Sequence, residues 1–413
     1  MKAKTKMRMI IVIFSILLSP AIFASKARME GLGQDSQTGS FFLPDSRSVF
    51  LNPGYINIFN NYIITEWGEV NQPDGGGNGV GTNPKPNAEG GFFQEVNDFT
   101  WGVYLGNKTD INDNWKNIAG DKTFLTQRNP IDIFFGGDAG LKWGSRFSYA
   151  NSKNENAGDG SSVAYESNHT SLGIGFGLIW ENLNLYTDIV LKDKSVGADA
   201  GLSSSDAGMV YEGNLGLKLG AGYQLFGVKL FGQYESNGFE LHPNQTGASD
   251  VKYEQKIITV GVGKIHEVAN NARIITDATV NVMSDDGNDP SSITATGSWT
   301  MVDGVSFLQG ESSVKTKKTR LNLTFGLEAD ATSWLTLRGS IKQASLINQH
   351  SKTNASGASS NDKVNKSDET TSVSAGATIN FGSLKIDGLI GTGGDGVLNT
   401  DNLLVRTALH YWF

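Results

Sequence analysis

Cysteine is absent from all 413 residues of the sequence. Disulfides staple many exported proteins, so an exported chain without them needs another source of stability. Long apolar runs are also missing, because no stretch after the first 24 residues approaches the roughly 20 apolar residues that a membrane-spanning helix requires. Proline is scarce, with 9 residues against 51 glycines, a balance typical of many strands joined by glycine turns. These absences exclude a disulfide scaffold and a helical membrane protein.

The first 24 residues have the organisation of a secretory signal peptide. Four cations lie within residues 2–8, and an apolar segment follows up to Phe23. We expect cleavage after Ala24, with Ala27 as the alternative site. Removing the four cations from a formal charge of -8 leaves about -12 on the mature chain, which argues against a nucleic-acid partner. The sequence therefore predicts an exported, acidic protein.

Regular alternation of apolar and other side chains is the dominant pattern of the sequence. A helix cannot hold this period of two, whereas a transmembrane strand of about 9 to 11 residues presents every second side chain to lipid. Short turns alternate with long polar connections, as in barrels with tight periplasmic turns and long external loops. The pattern predicts an all-β fold, a transmembrane antiparallel β-barrel in residues 61–413. Alternating runs occupy residues 172–180, 215–223, 321–328, 335–342 and 373–381.

The number of strands follows from counting all runs of this kind along the chain, including the less regular ones. The first two are predicted at residues 61–67 and 98–106, and the whole count is about 14, with an allowed range of 12 to 16. Residues 129–138 are open to two interpretations: another short strand, or a helical turn that begins at Pro130. An even number of strands favours the helical turn.

The chain ends in an alternating aromatic strand, with Leu409, Tyr411 and the terminal Phe413 on one face. This ending resembles the C-terminal signature by which the outer-membrane assembly machinery recognises barrel strands. The resemblance implies a location in the outer membrane of a Gram-negative-type bacterium. It also implies the barrel assembly machinery, outer-membrane lipids and lipopolysaccharide as partners.

The polar face of each predicted strand is assigned to the lumen, since the apolar face must meet lipid. The lumen is therefore predicted to be basic inside an acidic protein. Two interpretations remain open: a field that favours anions in a pore, or charges that pair and hold the wall or an interior segment. The predicted lumen cations are Lys142, Arg146, Lys192, Lys218, Lys229, Arg338, Lys342, Lys385 and Arg406, and the anions are Asp188, Glu235, Asp277, Glu328 and Asp387.

Residues 25–60, called here the N-terminal segment, show no long alternation although they carry large apolar side chains such as Phe41, Phe42 and Phe50. Irregular backbone cannot face hydrocarbon, because its unpaired N–H and C=O groups would cost several kcal/mol each. We therefore expect this segment to plug the lumen. The chain is divided into a signal peptide (1–24), a plug (25–60) and a barrel (61–413).

The N-terminal segment resembles the start of the long-chain fatty acid and aromatic-hydrocarbon transporters, the FadL-type barrels. These open with an R-x-x-x-x-G motif, matched here by Arg28 and Gly33, and with a D-x-S-x-x-x-x-N-P stretch before the first strand. The resemblance implies a 14-stranded barrel, an N-terminal plug and hydrophobic solutes. The second motif is matched by Asp45, Ser46 or Ser48, Asn52 and Pro53, and the residues assigned to the plug are Arg28, Asp45, Arg47, Asn52 and Pro53.

Catalytic and metal-binding patterns are not found in the sequence. The five histidines are scattered singly, without metal-ligand spacing, and no nucleophile, base and orienting group fall into a recognisable pattern. Residues 285–289 are acidic, but they are better interpreted as a solvated loop than as a calcium site. We therefore expect no enzyme activity, no cofactor and no metal.

Two classes of function fit this composition. The first is a channel or passive transporter for small solutes, among which hydrophobic compounds narrowly lead. The second is a surface barrel, such as an adhesin, receptor or structural protein, that acts through its external loops. Residues 285–315 keep the second class open, because they are more apolar than exposed loops usually are; they either stay outside or fold inward as a constriction.

Overall fold

A computed structural model describes residues 25–68, 88–108, 127, 129–156, 165–196, 210–242, 250–288, 299–300, 306–307, 311–355, 358–364, 369–394 and 406–413. The predicted signal peptide and most of the loop at 285–315 lie outside these residues. From residue 62 onward the described part of the chain is almost entirely strand, as the alternation predicts. No helix in it has the length and hydropathy needed to span a membrane.

One short helix and two 3-10 turns precede the strands: α1 (Lys26–Gly31), then Ser46–Val49 and Pro53–Asn57. The strands are β1 (Tyr62–Trp67), β2 (Ala88–Val96), β3 (Phe99–Leu105), β4 (Ile131–Asp138), β5 (Lys142–Asn156), β6 (Tyr165–Trp180), β7 (Leu183–Val196), β8 (Val210–Gly213), β9 (Gly216–Leu225), β10 (Val228–His242), β11 (Val251–Ala269), β12 (Ala272–Asn288), β13 (Trp299–Thr300), β14 (Ser306–Phe307), β15 (Glu311–Asp330), β16 (Leu335–Ala355), β17 (Ala358–Val364), β18 (Glu369–Phe381), β19 (Leu384–Gly394) and β20 (Arg406–Trp412).

The main sheet is a closed ring in which neighbouring strands are antiparallel. It closes where β1 pairs with β20, with Tyr62 opposite Trp412 and Trp67 opposite Thr407. Strands β8 and β9 occupy one position, because both pair with β7 on one side and β10 on the other. Strand β17 pairs with the far end of β16 and lies outside the ring, and β13 and β14 form a separate pair. The described residues thus build a ring of sixteen strand positions.

The prediction of 14 strands is wrong by two, although 16 lies within the allowed range. The two additional strands are β2 and β4. The interpretation of residues 129–138 as a helical turn is also wrong, because Ile131, Ile133 and Phe135 point outward in β4 while Phe134 is fully buried. Phe134 packs inward against the ring of Phe50. Apolar side chains therefore lie on both faces of β4, with Asp132 also inward, and the alternation that identifies the other strands is hidden.

The outward face of the ring carries a continuous apolar surface. On β15, for example, Leu323, Phe325 and Leu327 are each 42–46% exposed. Large aromatic side chains, including Trp180, Phe226, Trp334, Phe381 and Phe413, gather near the short turns and the C-terminus. An apolar surface of this extent is not stable in water, and an apolar band with aromatic rims is the lipid-facing surface of a transmembrane barrel. The barrel is therefore a membrane barrel that crosses with strands.

The short turns carry backbone conformations that tight hairpins require. Phe226 and Gly227 both have positive φ, at 50° and 78°, between β9 and β10. Two central residues with positive φ are characteristic of a type I′ turn, whose twist matches that of the flanking strands. The predicted turn near 223–227 is thus present as a two-residue connection.

The alternation also sets the inward and outward faces, which gives a direct test. Replacing the outward Leu323 with Arg should destabilise the barrel by roughly 2 to 4 kcal/mol, because the charge would enter the hydrocarbon region. The same change at the neighbouring Asn322, which faces the interior, should cost little. Urea unfolding in lipid vesicles would measure both. Equal tolerance at the two positions would contradict the register.

The last strand presents Tyr411 and Phe413 outward, with 45% and 53% of each residue exposed. Leu409, which is half-buried, has the same orientation, since it alternates with the buried Ala408 and His410. These three side chains share one face, as the sequence predicts. Their recognition by the assembly machinery remains a prediction.

Candidate functional site

The N-terminal segment lies within the ring of strands. Helix α1 contacts β16, β18, β19 and β20, and the 3-10 turn Pro53–Asn57 contacts β3, β4, β5 and β6. Between these two ends, Phe41 stacks on Phe231 of β10 with ring centroids 5.0 Å apart, and the Gln34 amide donates to Asp277 of β12 at 2.8 Å. The segment therefore touches the inner wall on opposite sides of the barrel.

Side-chain caps hold the irregular backbone of this segment. Asp45 accepts from the backbone N–H groups of Arg47 and Ser48, while the Ser48 hydroxyl accepts from the backbone N–H of Asp45, which completes a capping box. Asn52 accepts from the N–H of Gly54, and Pro53 begins the next turn. These bonds satisfy backbone groups that have no strand partner. The motif residues that resemble the FadL-type barrels thus have a local structural role.

Inward-facing glycines let the segment lie directly against the wall. A Cβ on Gly177 of β6 would collide with the Asn52 side chain, and a Cβ on Gly222 of β9 would collide with the ring of Phe41. Only glycine allows such a close approach. Gly177 and Gly222 therefore mark two places where the interior segment lies against the wall.

Glu328 of β15 is the centre of a buried charge cluster, called here the Glu328 cluster, which consists of Glu328, Arg28, Arg273, Arg338 and Asp387. Arg28 donates to Glu328 through Nε at 2.7 Å and through Nη2 at 3.1 Å. Arg273 also donates to Glu328, and the Arg338 Nε lies 3.4 Å from it. Arg338 in turn pairs with Asp387 at 3.3 Å. The cluster joins α1 to four strands, β12, β15, β16 and β19.

A second charge cluster surrounds Arg47. Its Nη1 donates to the Tyr104 hydroxyl at 2.9 Å and lies 3.1 Å from Glu89 and 3.4 Å from Glu66. Lys26 also pairs with Glu89, at 2.8 Å. This cluster joins the N-terminal segment to β1, β2 and β3, on the other side of the ring closure from the Glu328 cluster.

Two carboxyl groups of the N-terminal segment have raised pKa values. Burial raises the pKa of Asp45 to about 7, and the guanidinium of Arg28, 3.8 Å away, opposes the shift. Burial also raises the pKa of Glu30, against the opposing charge of Arg406, whose Nε lies 3.0 Å from the carboxylate. Both carboxyl groups therefore hold a proton more readily than an exposed carboxyl does.

A cavity of about 470 Å³ remains between the N-terminal segment and the barrel wall, where β5, β7, β9 to β12, β15 and β16 contribute lining residues. Residues 33–35 and 37–42 form one side. The opposite side carries amide and hydroxyl groups, among them Gln233, Thr259, Asn281 and Thr324. The volume is within the range of about 300 to 1,000 Å³ that is typical of small-molecule sites.

Most of the predicted lumen charges face the interior and have a partner there. Arg146 pairs with Asp188 at 2.9 Å, Lys218 lies 3.7 Å from Glu235, and Lys229 donates to the carbonyl of Phe42 at 3.1 Å. Lys142 lies at the rim, where it pairs with Asp138 beside the short turn. Lys385 lies 5.5 Å from the ring of Trp412, and Lys342 lines the cavity. The geometry favours the interpretation that these charges hold the wall and the interior segment.

The assignment of Lys192 to the lumen is wrong. Lys192 is exposed and stands opposite the outward Leu172, whereas Val190 stands opposite Gly173. The register shifts there, so that Leu191 is an additional residue in β7. Such a bulge reverses the faces of every following residue, and it turns Asp193 inward, where it contacts His169 at 2.7 Å.

Several interior groups are missing from the sequence-based set. Glu66 and Asp132 are buried and pair with arginines, and Glu89 pairs with Lys26 and Arg47. Glu89 and Asp132 belong to β2 and β4, so their omission follows from the omission of those strands. Arg273 lies four residues before the predicted Asp277 in β12, so both side chains are on the same face of the strand. The alternation of β12 was therefore the signal that would have identified Arg273.

No family model matches the sequence, and no curated protein matches it. Solved structures that align with most of this chain at low sequence identity include the following three. A Pseudomonas aeruginosa FadL homologue has 11% identity and a TM-score of 0.41, with 95% of this chain and 99% of that chain covered. The CymD monoaromatic hydrocarbon channel has 11% identity and a TM-score of 0.40, with 95% and 98% covered. The Pseudomonas putida toluene transporter TodX has 10% identity and a TM-score of 0.34, with 94% and 96% covered.

Proposed function

We propose that the protein is an outer-membrane channel or passive transporter for small solutes. The barrel interior is the path, and the N-terminal segment is a partial plug. The proposal includes export through the signal peptide and assembly by the barrel machinery acting on Leu409, Tyr411 and Phe413. Outer-membrane lipids and lipopolysaccharide surround the apolar belt, and no catalytic step is required.

One observation carries this proposal: the interior segment does not fill the barrel. A purely structural barrel gains stability by packing its interior to the density of a protein core. Here a cavity of about 470 Å³ with charged and amide groups lies beside the segment. Polar groups around an open volume are expected of a solute path, because they replace part of the hydration shell of a passing solute.

The test is single-channel recording of the purified full chain in planar bilayers. We expect discrete, reproducible current steps in potassium chloride. An outward-facing mutant such as Thr276→Val, on β12, should conduct like the parent and serves as the control. A correctly folded, heat-modifiable barrel that never conducts would contradict the proposal and favour the alternative, a surface barrel that acts through its external loops.

A further inference from the structure

The wall of the cavity carries a row of neutral hydrogen-bonding groups that crosses three strands. Gln233, Thr259 and Asn281 stand opposite one another on the adjacent strands β10, β11 and β12. Tyr186 fixes the amide of Gln233 by donating to its oxygen at 2.6 Å. The side-chain oxygen of Asn281 is buried and has no hydrogen-bond partner among the described residues. An unmet acceptor in a polar cavity costs free energy unless a donor reaches it.

Charge does not favour an ion of either sign in this cavity. The described lining residues include four cations and four anions, so their charges balance. The cations Lys218 and Arg146 are held by carboxylates at 3.7 Å and 2.9 Å. A bound ion would have to lose its hydration without a compensating net charge, which is costly. The balanced lining therefore favours an uncharged solute.

Part of the cavity lining is aromatic. Phe41, Phe42 and Phe231 form an aromatic cluster, in which Phe42 meets the other two rings edge to face at 6.0 Å. All three line the cavity. The site therefore combines an aromatic patch with a row of amide and hydroxyl groups, and its solute should combine an apolar face with a polar edge.

We propose that the cavity binds a small, uncharged, polyhydroxylated solute of the size of a monosaccharide. A sugar ring presents C–H groups on its face and hydroxyl groups on its edge, which are both donors and acceptors. The face would pack on the aromatic cluster, and one hydroxyl would donate to Asn281. This inference rests on the proposed function, since it names the class of solute that uses the channel.

The test measures block of the potassium chloride current by added solutes, together with calorimetric binding to the full chain in detergent. Glucose is the neutral probe, and gluconate and glucosamine are its anionic and cationic counterparts. We expect glucose to bind and to reduce the mean current, with half-block at a concentration at least tenfold lower than that of either charged analogue. Toluene, as a hydrophobic probe, should produce no saturable block.

Point variants locate the site. Asn281→Leu and Thr259→Val each replace a hydrogen-bonding group with apolar groups while keeping the number of side-chain heavy atoms, and each should weaken glucose binding roughly fivefold, the equivalent of one net hydrogen bond. Thr276→Val makes the same change on the outward face of β12 and should leave binding unchanged. Two variants on different strands keep the test valid when one of them fails to fold.

The two proposals fail in different ways. If the chain conducts potassium chloride but binds gluconate, glucosamine or toluene as tightly as it binds glucose, the proposed solute class is wrong and the proposed channel function still stands. A folded chain that binds glucose, weakened by Asn281→Leu, but never conducts overturns the channel. Glucose binding that is unchanged in both interior variants overturns the placement of the site in this cavity.

Discussion

Deleting Gly31 to Val49 behind an intact leader is expected to leave a folded barrel whose single-channel conductance is several-fold larger than that of the full chain. The deleted residues form one side of the cavity and include Phe41 and Phe42. Strand pairing around the ring is formed by residues from 62 onward, so the wall keeps its hydrogen bonds. Removing the segment widens the interior without opening the wall.

Two controls separate obstruction from damage. Heat-modifiable migration in gels should show that the deletion variant still forms a closed barrel. Replacing residues 31–49 with a Gly/Ser chain of the same length keeps the backbone but removes the side chains that attach it to the wall. That variant should conduct more than the parent, with noisier current. A deletion variant that assembles but conducts no more than the parent would show that the segment is not a plug.

The substitution Glu328→Gln should destabilise the protein by about 3 to 5 kcal/mol, because it removes the anion that the buried Arg28 and Arg338 share with the partly buried Arg273. Asp387 alone then faces Arg338, and the attachment of Arg28 to the wall is lost. Urea unfolding in vesicles would measure the change. Trypsin should also cleave after Arg28, which is buried in the parent.

The matched control is Glu254→Gln, the same substitution at an exposed pair with Lys256, whose atoms lie 3.4 Å apart. An exposed pair is screened by solvent, and its loss should change stability little. The double variant Glu328→Gln with Arg273→Gln restores the balance of charge and should recover part of the stability. Equal effects of Glu328→Gln and Glu254→Gln would contradict the role of the Glu328 cluster.

Alternation in the sequence was sufficient to predict strands wherever one face meets lipid and the other meets small or polar groups. It predicted β15 well, because Leu323 and Phe325 alternate with Asn322 and Thr324. It failed at β2 and β4, where Phe93 and Phe134 face inward and pack against the interior. These inner faces carry apolar rings beside Glu89 and Asp132 because the N-terminal segment packs on them, and the local sequence carries no sign of that contact.

The sequence predicted most of the inward-facing charged residues, but not which of them form ion pairs. The alternation along each strand identified the inward-facing residues, except those that follow the bulge at Leu191 in β7. No propensity rule predicts that bulge from the sequence. The pairs depend on register around the ring and on the path of an irregular segment. Neither is encoded locally, and so a basic lumen was predicted where the interior charges are largely matched.

The pair of Arg28 and Glu328 joins residues 300 positions apart in the chain, and this has a consequence for assembly. The N-terminal segment is synthesised first, whereas its partners in β15, β16 and β19 follow near the end of the chain. The segment cannot form its buried contacts until those strands have folded, because contacts between residues so distant in the chain form late. We therefore expect the segment to be enclosed as the ring closes between β1 and β20, because a completed ring would leave it only a narrow entrance.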